Sequence, residues 1–180
     1  TIDAMPNDLT LCRGWDLAAT TNQTSAWTAG VLVGLSSDGK IVIVDCVRGR
    51  WSPDGVYKIV QQSTIDDGHH VRQSLPKDPG QAGVAQSNQF AKNLAGYDVR
   101  FSPESGDKVT RALPLSAQCE AGNVYILKGE WNKTFLDEIS MFPGSKWKDQ
   151  VDAASRAYSE LLKMTKNLGS GVACYAPMLI

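Results

Sequence analysis

Leu9-Thr-Leu-Cys-Arg-Gly-Trp-Asp16-Leu-Ala-Ala-Thr20 reads as a buried strand with a single acid at its far end. A carboxylate buried alone is costly, so Asp16 needs a cation, a hydrogen-bond network or water beside it. Two further acids are placed to join it: Asp78 in Leu75-Pro-Lys-Asp-Pro-Gly-Gln-Ala-Gly83, and Asp149 in Trp147-Lys-Asp-Gln-Val-Asp-Ala-Ala-Ser155. Strand end, strand end and helix start is an order that suits metal-dependent phosphoryl transfer, in which several carboxylates converge on divalent ions.

Working outward, the first strand spans Leu9 to Ala18. A second runs from Ser25 to Leu35, and Asp38-Gly39 supplies hairpin turn chemistry before a third, Lys40 to Val47, rich in β-branched residues. Ser52 and Pro53 suit the N-cap and first position of a helix that runs to about Asp66 and stops at Gly68. His70–Leu75 is a fourth strand, Gln81–Leu94 a helix, Tyr97–Phe101 a fifth strand and Lys108–Ala121 a helix. Asn123–Leu127 is a short strand. Trp131–Met141 is a helix with Phe135, Leu136 and Ile139 on one stripe, broken by Phe142-Pro-Gly-Ser. The last long helix runs from Asp149 to about Leu168, and Gly169-Ser-Gly171 leads into an apolar tail. Three antiparallel strands followed by alternating helices and strands predict a mixed α/β sheet with helices on both faces. No repeat, low-complexity tract or interdomain linker divides residues 1–180, which read as one domain.

The bulk properties narrow the function classes. With 180 residues and 42% hydrophobic content the chain builds a full core. The net charge of −1 and the pI near 6.1 argue against strong DNA binding by charge excess alone. Nucleic-acid affinity therefore has to come from a local patch, a metal or a partner. Cys12, Cys46, Cys119 and Cys174 form no zinc-binding pair and read as reduced thiols. Residues 1–180 read as carrying no signal peptide, and no run in them is long and apolar enough to span a membrane.

Asp149 and Asp152 stand three apart at a helix start, so both face one side, and the helix N-terminus favours their ionised forms. The same spacing serves a capping box, and Asp78 before Pro-Gly is good turn chemistry whatever its function. Asp16 has fewer structural uses. Asp45 also lies in an apolar strand, and strand parity leaves its face open. His69 and His70 open a strand and point to opposite faces, so they read as structural. Gln81-Ala-Gly83 could present backbone N–H groups to phosphate, but the absence of a G-x-x-x-x-G-K-[ST] pattern argues against an ATP site. Lys108 and Arg111 lie one helical turn apart, and Lys146 and Lys148 flank Trp147. All four are candidates for DNA-backbone contact, with a solvated surface as the plain alternative and, for Lys108 and Arg111, docking of the helix near the site as another.

Taken together, RGWDLA, LPKDPGQAG, GYDVR, SGDKVTRALPLSAQCEAGNVYIL, EWNKTFLDEISMFP and KDQVDAAS resemble the C-terminal nuclease domain of the large terminase subunit of tailed double-stranded DNA bacteriophages. The resemblance covers nearly the whole chain. It implies an RNase H-like fold, also found in Holliday-junction resolvases and retroviral-type integrases, and a metal-dependent endonuclease that cuts concatemeric viral DNA during packaging. Asp16, Asp78 and Asp149 would be catalytic and, with Asp152, would bind two Mg²⁺ or Mn²⁺ ions. Lys108 and Arg111 match the family's SGDK..RA segment. Two departures remove candidate ligands: Trp147-Lys148 stands where the family often has His-Asp, and Asn22-Gln-Thr-Ser where it often has a further acid. The implied partners are double-stranded DNA, a packaging ATPase domain absent from this chain, a small terminase subunit and a portal, in the cytoplasm of an infected bacterium. A junction resolvase and a catalytically silent DNA- or portal-docking domain are the rival expectations.

Overall fold

The computed structural model describes residues 1–19, 21, 22 and 24–169, with side chains as far as residue 166. The apolar tail and Cys174 lie outside the described residues. The strands are β1 (Thr10–Asp16), β2 (Thr28–Leu35), β3 (Ile41–Gly49), β4 (Arg72–Pro76), β5 (Val99–Ser102) and β6 (Val124–Ile126). The helices are α1 (Pro53–Asp67), α2 (Gly80–Asn93), α3 (Lys108–Glu120), α4 (Asn132–Met141) and α5 (Asp149–Gly169). The strands form one sheet in the order β5-β4-β1-β2-β3-β6. β2 runs antiparallel to both β1 and β3, whereas β4, β5 and β6 join in parallel. The expected mixed sheet is therefore present.

Alternation along β1 sends its residues to two different cores. Cys12 faces a cluster built with Val31, Val33, Ile41 and Ile43 under α5, α3 and α4, to which Leu115, Phe135, Ala157 and Leu161 contribute. Trp15 faces the opposite cluster, with Val56 and Val60 of α1, Leu75 of β4 and Phe90 of α2. Helices thus cover both faces. No helix among the described residues is long and apolar enough to cross a membrane.

Gly14 sets how closely α5 approaches the sheet. A Cβ there would lie 2.2 Å from the Ala153 carbonyl oxygen and 2.5 Å from the Ala157 nitrogen. Only glycine lets the α5 backbone rest directly on β1, two residues before Asp16.

Several boundaries differ from the sequence reading, each for a local reason. β1 stops at Asp16 rather than Ala18, because the Thr28 hydroxyl takes the Ala18 N–H and donates to its carbonyl, both at 2.9 Å. β4 begins at Arg72 rather than His70. His69 instead stacks on Tyr97 with ring centroids 4.3 Å apart, and its Nδ1 lies 3.2 Å from the Gly96 carbonyl oxygen. α1 starts as expected, with the Ser52 hydroxyl accepting from the Gly55 N–H at 3.3 Å.

The register of β3 slips between Leu32 and Val33 of its partner, which pair with Asp45 and Ile43 and leave Val44 unmatched. This bulge breaks the period of two. It brings Asp45 into the same row as Leu32 and Arg13. Arg13 is buried there and donates to Asp45 at 2.8 Å and, through two nitrogens, to Asp67 at 2.7 Å. Asp67 also accepts from Gln73, which accepts from the Trp15 indole N–H. Asp67 therefore serves a buried structural network through Arg13, which Asp45 joins from its half-exposed edge.

Candidate active site

Three parallel strands end side by side. Gly14 of β1 sits opposite Ser74 of β4, and Pro76 at the end of β4 pairs with Ser102 at the end of β5. Carboxyl ends of parallel strands are where open α/β sheets hold ligands. Asp16 closes β1, and α5 begins above it with Asp149 and Asp152.

Lys108, the first residue of α3, ties these acids together. The Asp107 side chain caps the helix by accepting from the Thr110 N–H at 2.8 Å, which fixes where Lys108 emerges. The Lys108 ammonium donates to Asp16 Oδ2 and, at 2.8 Å, to Asp149 Oδ1, and it lies 3.7 Å from Asp152 Oδ2. One turn later, Arg111 forks onto Asp152: Nε to Oδ1 at 2.9 Å and Nη2 to Oδ2 at 2.6 Å. Asp149 has a second anchor, since its Oδ2 accepts the Trp27 backbone N–H at 3.0 Å. Lys108 and Arg111, expected as DNA contacts, are turned inward onto the acids. Lys146 is exposed, with Nζ 4.5 Å from the Trp147 ring, and Lys148 is half-buried.

The acids are largely out of water: side-chain exposure is 13% for Asp16, 5% for Asp149 and 4% for Asp152. Burial pushes the Asp16 carboxyl up to about 7, with Lys108 opposing the rise and Asp152 and Asp149 adding to it. Burial alone would lower Lys108, but Asp16 and Asp149 outweigh it and hold the ammonium charged, above its ordinary range.

Helix α5 is itself pinned from α4. The buried Glu138 carboxylate accepts from the backbone N–H of Gln150 at 2.8 Å and of Val151 at 3.1 Å, and from the Gln150 side chain at 2.7 Å. An acid from a neighbouring helix thus satisfies the free N–H groups of the first turn of α5.

Asp16 and Asp152, with Glu104, each offer a carboxylate oxygen, and the three oxygens lie within 4.8 Å of one another. Glu104 stands two residues past β5 and is bridged by Arg156 at 2.8 Å and Arg111 at 3.2 Å. Glu104 carries no signal in the sequence, because Pro103-Glu-Ser-Gly106 has the look of an ordinary polar turn. Asp149 stands outside that tight trio and reaches Asp16 through Lys108. Asp78 stands two residues past β4, exposed, in a surface depression that it shares with Pro103 and Glu104. Its carbonyl packs against Gly83 of α2, where a Cβ would come within 2.0 Å of the oxygen. The structure therefore brings Asp16, Asp149 and Asp152 together and leaves Asp78 outside the close-set group.

A family model described as "Terminase RNaseH-like domain" matches residues 13–161, a span that contains all of these acids. No curated protein matches the chain. Among solved structures, the large terminase nuclease of the thermophilic phage G20c with bound zinc is similar at a TM-score of 0.63 and 19% identity, covering 88% of this chain and 85% of that one. The same nuclease with bound magnesium gives a TM-score of 0.62 at 18% identity, covering 88% and 85%. The fowlpox virus resolvase in complex with Holliday junction DNA gives 0.54 at 10% identity, covering 86% of this chain and 98% of that one. At such identities the solved structures share the fold with this chain. The family match extends over most of its length, and the chain belongs to the terminase RNase H-like domain family.

Proposed function

We propose that this chain is a divalent-metal-dependent endonuclease that hydrolyses phosphodiester bonds of double-stranded DNA, cutting concatemeric viral DNA during genome packaging. The observation that carries the reading is the convergence of Asp16, Asp149 and Asp152, from the end of one strand and the start of one helix, on the Lys108 ammonium. The donor set is all carboxylate oxygen, with oxygens of Asp16, Glu104 and Asp152 within 4.8 Å of one another, and it fits a hard divalent ion such as Mg²⁺ or Mn²⁺. Asp16 and Asp152 would hold the metal with Glu104 at the same opening. Asp149 and Asp78 complete the expected set, for which two ions are proposed. When bound, such ions lower the pKa of water and neutralise charge at the phosphorus.

The other side chains orient this set. Arg111 fixes both oxygens of Asp152, and the Trp27 backbone N–H fixes one oxygen of Asp149. Lys108 offsets part of the charge of three neighbouring carboxylates and lies beside any phosphate that approaches them. The proposed partners are a packaging ATPase domain, a small terminase subunit and a portal, and the proposed site of action is the cytoplasm of the infected bacterium. Little base preference is expected.

Asp16→Ala should abolish nicking of supercoiled plasmid in Mn²⁺ while the circular dichroism spectrum stays that of the wild type. Full nicking by the variant would overturn the assignment. The fold shared with the fowlpox resolvase favours one second reading, a junction resolvase. Faster cutting of four-way junctions than of linear duplex would select it. No cleavage and no binding of Mg²⁺ or Mn²⁺ at millimolar metal would select a silent docking domain.

A further inference from the structure

Six of the seven arginines in the chain have a carboxylate partner. Arg13 pairs with Asp45 and Asp67, Arg48 with Glu138, Arg72 with Asp98 and Glu160, Arg100 with Asp98, Arg111 with Asp152 and Glu104, and Arg156 with Glu104. Arg50, one residue past β3, has no carboxylate within ion-pair distance among the described residues. It is nonetheless held firmly. Its guanidinium lies 3.5 Å from the centroid of the Trp27 ring and 5.1 Å from that of Trp147, and its Nε donates to the Ser25 carbonyl at 3.0 Å. Two indoles and one carbonyl fix the plane of the group while the two terminal nitrogens carry no ion pair.

The location gives this arrangement its meaning. Trp27, the ring beneath Arg50, donates its backbone N–H to Asp149 at 3.0 Å, and Trp147 stands two residues before Asp149. Arg50 is thus connected to the acid cluster through both of its aromatic supports. Lys146 adds a second cation on Trp147, at 4.5 Å from the ring. A cluster of acids repels a polyanion, and a chain of net charge −1 has no general excess of cations to offset that. A planar guanidinium with a free fork is suited to bidentate recognition of a phosphate.

We propose that Arg50, stacked on Trp27 and Trp147, is a preformed fork for a DNA backbone phosphate flanking the cut, and that duplex enters over the face formed by these residues and Lys146. This rests on the nuclease reading above and specifies how its substrate is seated.

The test uses the full chain with Asp16→Asn to prevent cleavage, in Mg²⁺, with binding of a labelled duplex followed by fluorescence anisotropy over a range of salt. Arg50→Ala should weaken binding about tenfold or more and reduce the slope of log K against log salt by about 1. Arg50→Lys should restore the slope but not the full affinity, because a point charge replaces the fork. Lys92→Ala, an exposed cation on α2 across the sheet, should change neither. Mn²⁺ affinity of Arg50→Ala in the otherwise wild-type chain should match that of the wild type, which separates loss of a phosphate contact from damage to the acid cluster. Affinity and slope unchanged in Arg50→Ala would overturn the proposal. So would saturation by inorganic phosphate at the concentrations at which duplex binds, which would mark a free-anion site. If the Asp16→Asn chain binds no duplex and the wild type cuts none, the nuclease reading fails first.

Discussion

The side chain whose charge state matters most is Asp16. Its folded carboxyl titrates near 7, well above the ordinary value of 3.8 that its unfolded form should keep. Between those two values the folded chain holds a proton that the unfolded chain has released. The stability contributed by this group is therefore complete below 3.8 and is lost as pH rises through about 7. Without added metal, the melting temperature of the wild type should fall from about pH 5 to about pH 8 more steeply than that of Asp16→Asn. Thermal melts across that range check this, and parallel slopes would contradict it. Asp16, Asp149 and Asp152 were legible in the sequence because each sits where a strand ends or a helix starts. Glu104 and Arg50 were not. Glu104 lies in a loop without periodicity, and Arg50 is defined by rings 23 residues before it and 97 after it, a proximity that only the folded chain creates.

At the level of elements, the site depends on where α5 begins. Its first turn is held by Glu138 from α4 and its body rests on Gly14 of β1. Glu138→Ala removes the acceptor for two backbone N–H groups and one side-chain amide, and leaves Arg48 without its carboxylate. Because the groups left behind are buried, the loss should be about 3 kcal/mol in urea denaturation, with reduced cleavage as Asp149 drifts. A change under about 1 kcal/mol would show that the cap carries little of the load. The order and type of elements could be read from turn chemistry and periodicity, but the β3 bulge could not. Lys40–Val47 looks like one continuous apolar strand, yet the extra residue at Val44 sends Asp45 to the face of Arg13. The pattern of two fails where a residue is inserted, which is why the face of Asp45 stayed open in the sequence.

Across the whole molecule, the sheet order β5-β4-β1-β2-β3-β6 places the C-terminal ends of β1, β4 and β5 next to one another. The mixed sheet was foreseeable from three hairpin-linked strands followed by alternating helices and strands. The pairing of β6 with β3 was not, since it joins segments about eighty residues apart with no local signal. The same architecture explains why Asp78 was expected in the site: it leaves the sheet beside Asp16. In the fold it is exposed, in a depression shared with Glu104, while Glu104, the same distance past the neighbouring strand, stands with Asp16 and Asp152. The central claim is that these carboxylates form one divalent-cation site. Anomalous diffraction from crystals soaked in Mn²⁺ tests it most directly. The account predicts a peak within about 2–2.5 Å of carboxylate oxygens of both Asp16 and Asp152. A peak remote from Asp16, or none in crystals of a protein that still cleaves DNA, would contradict it.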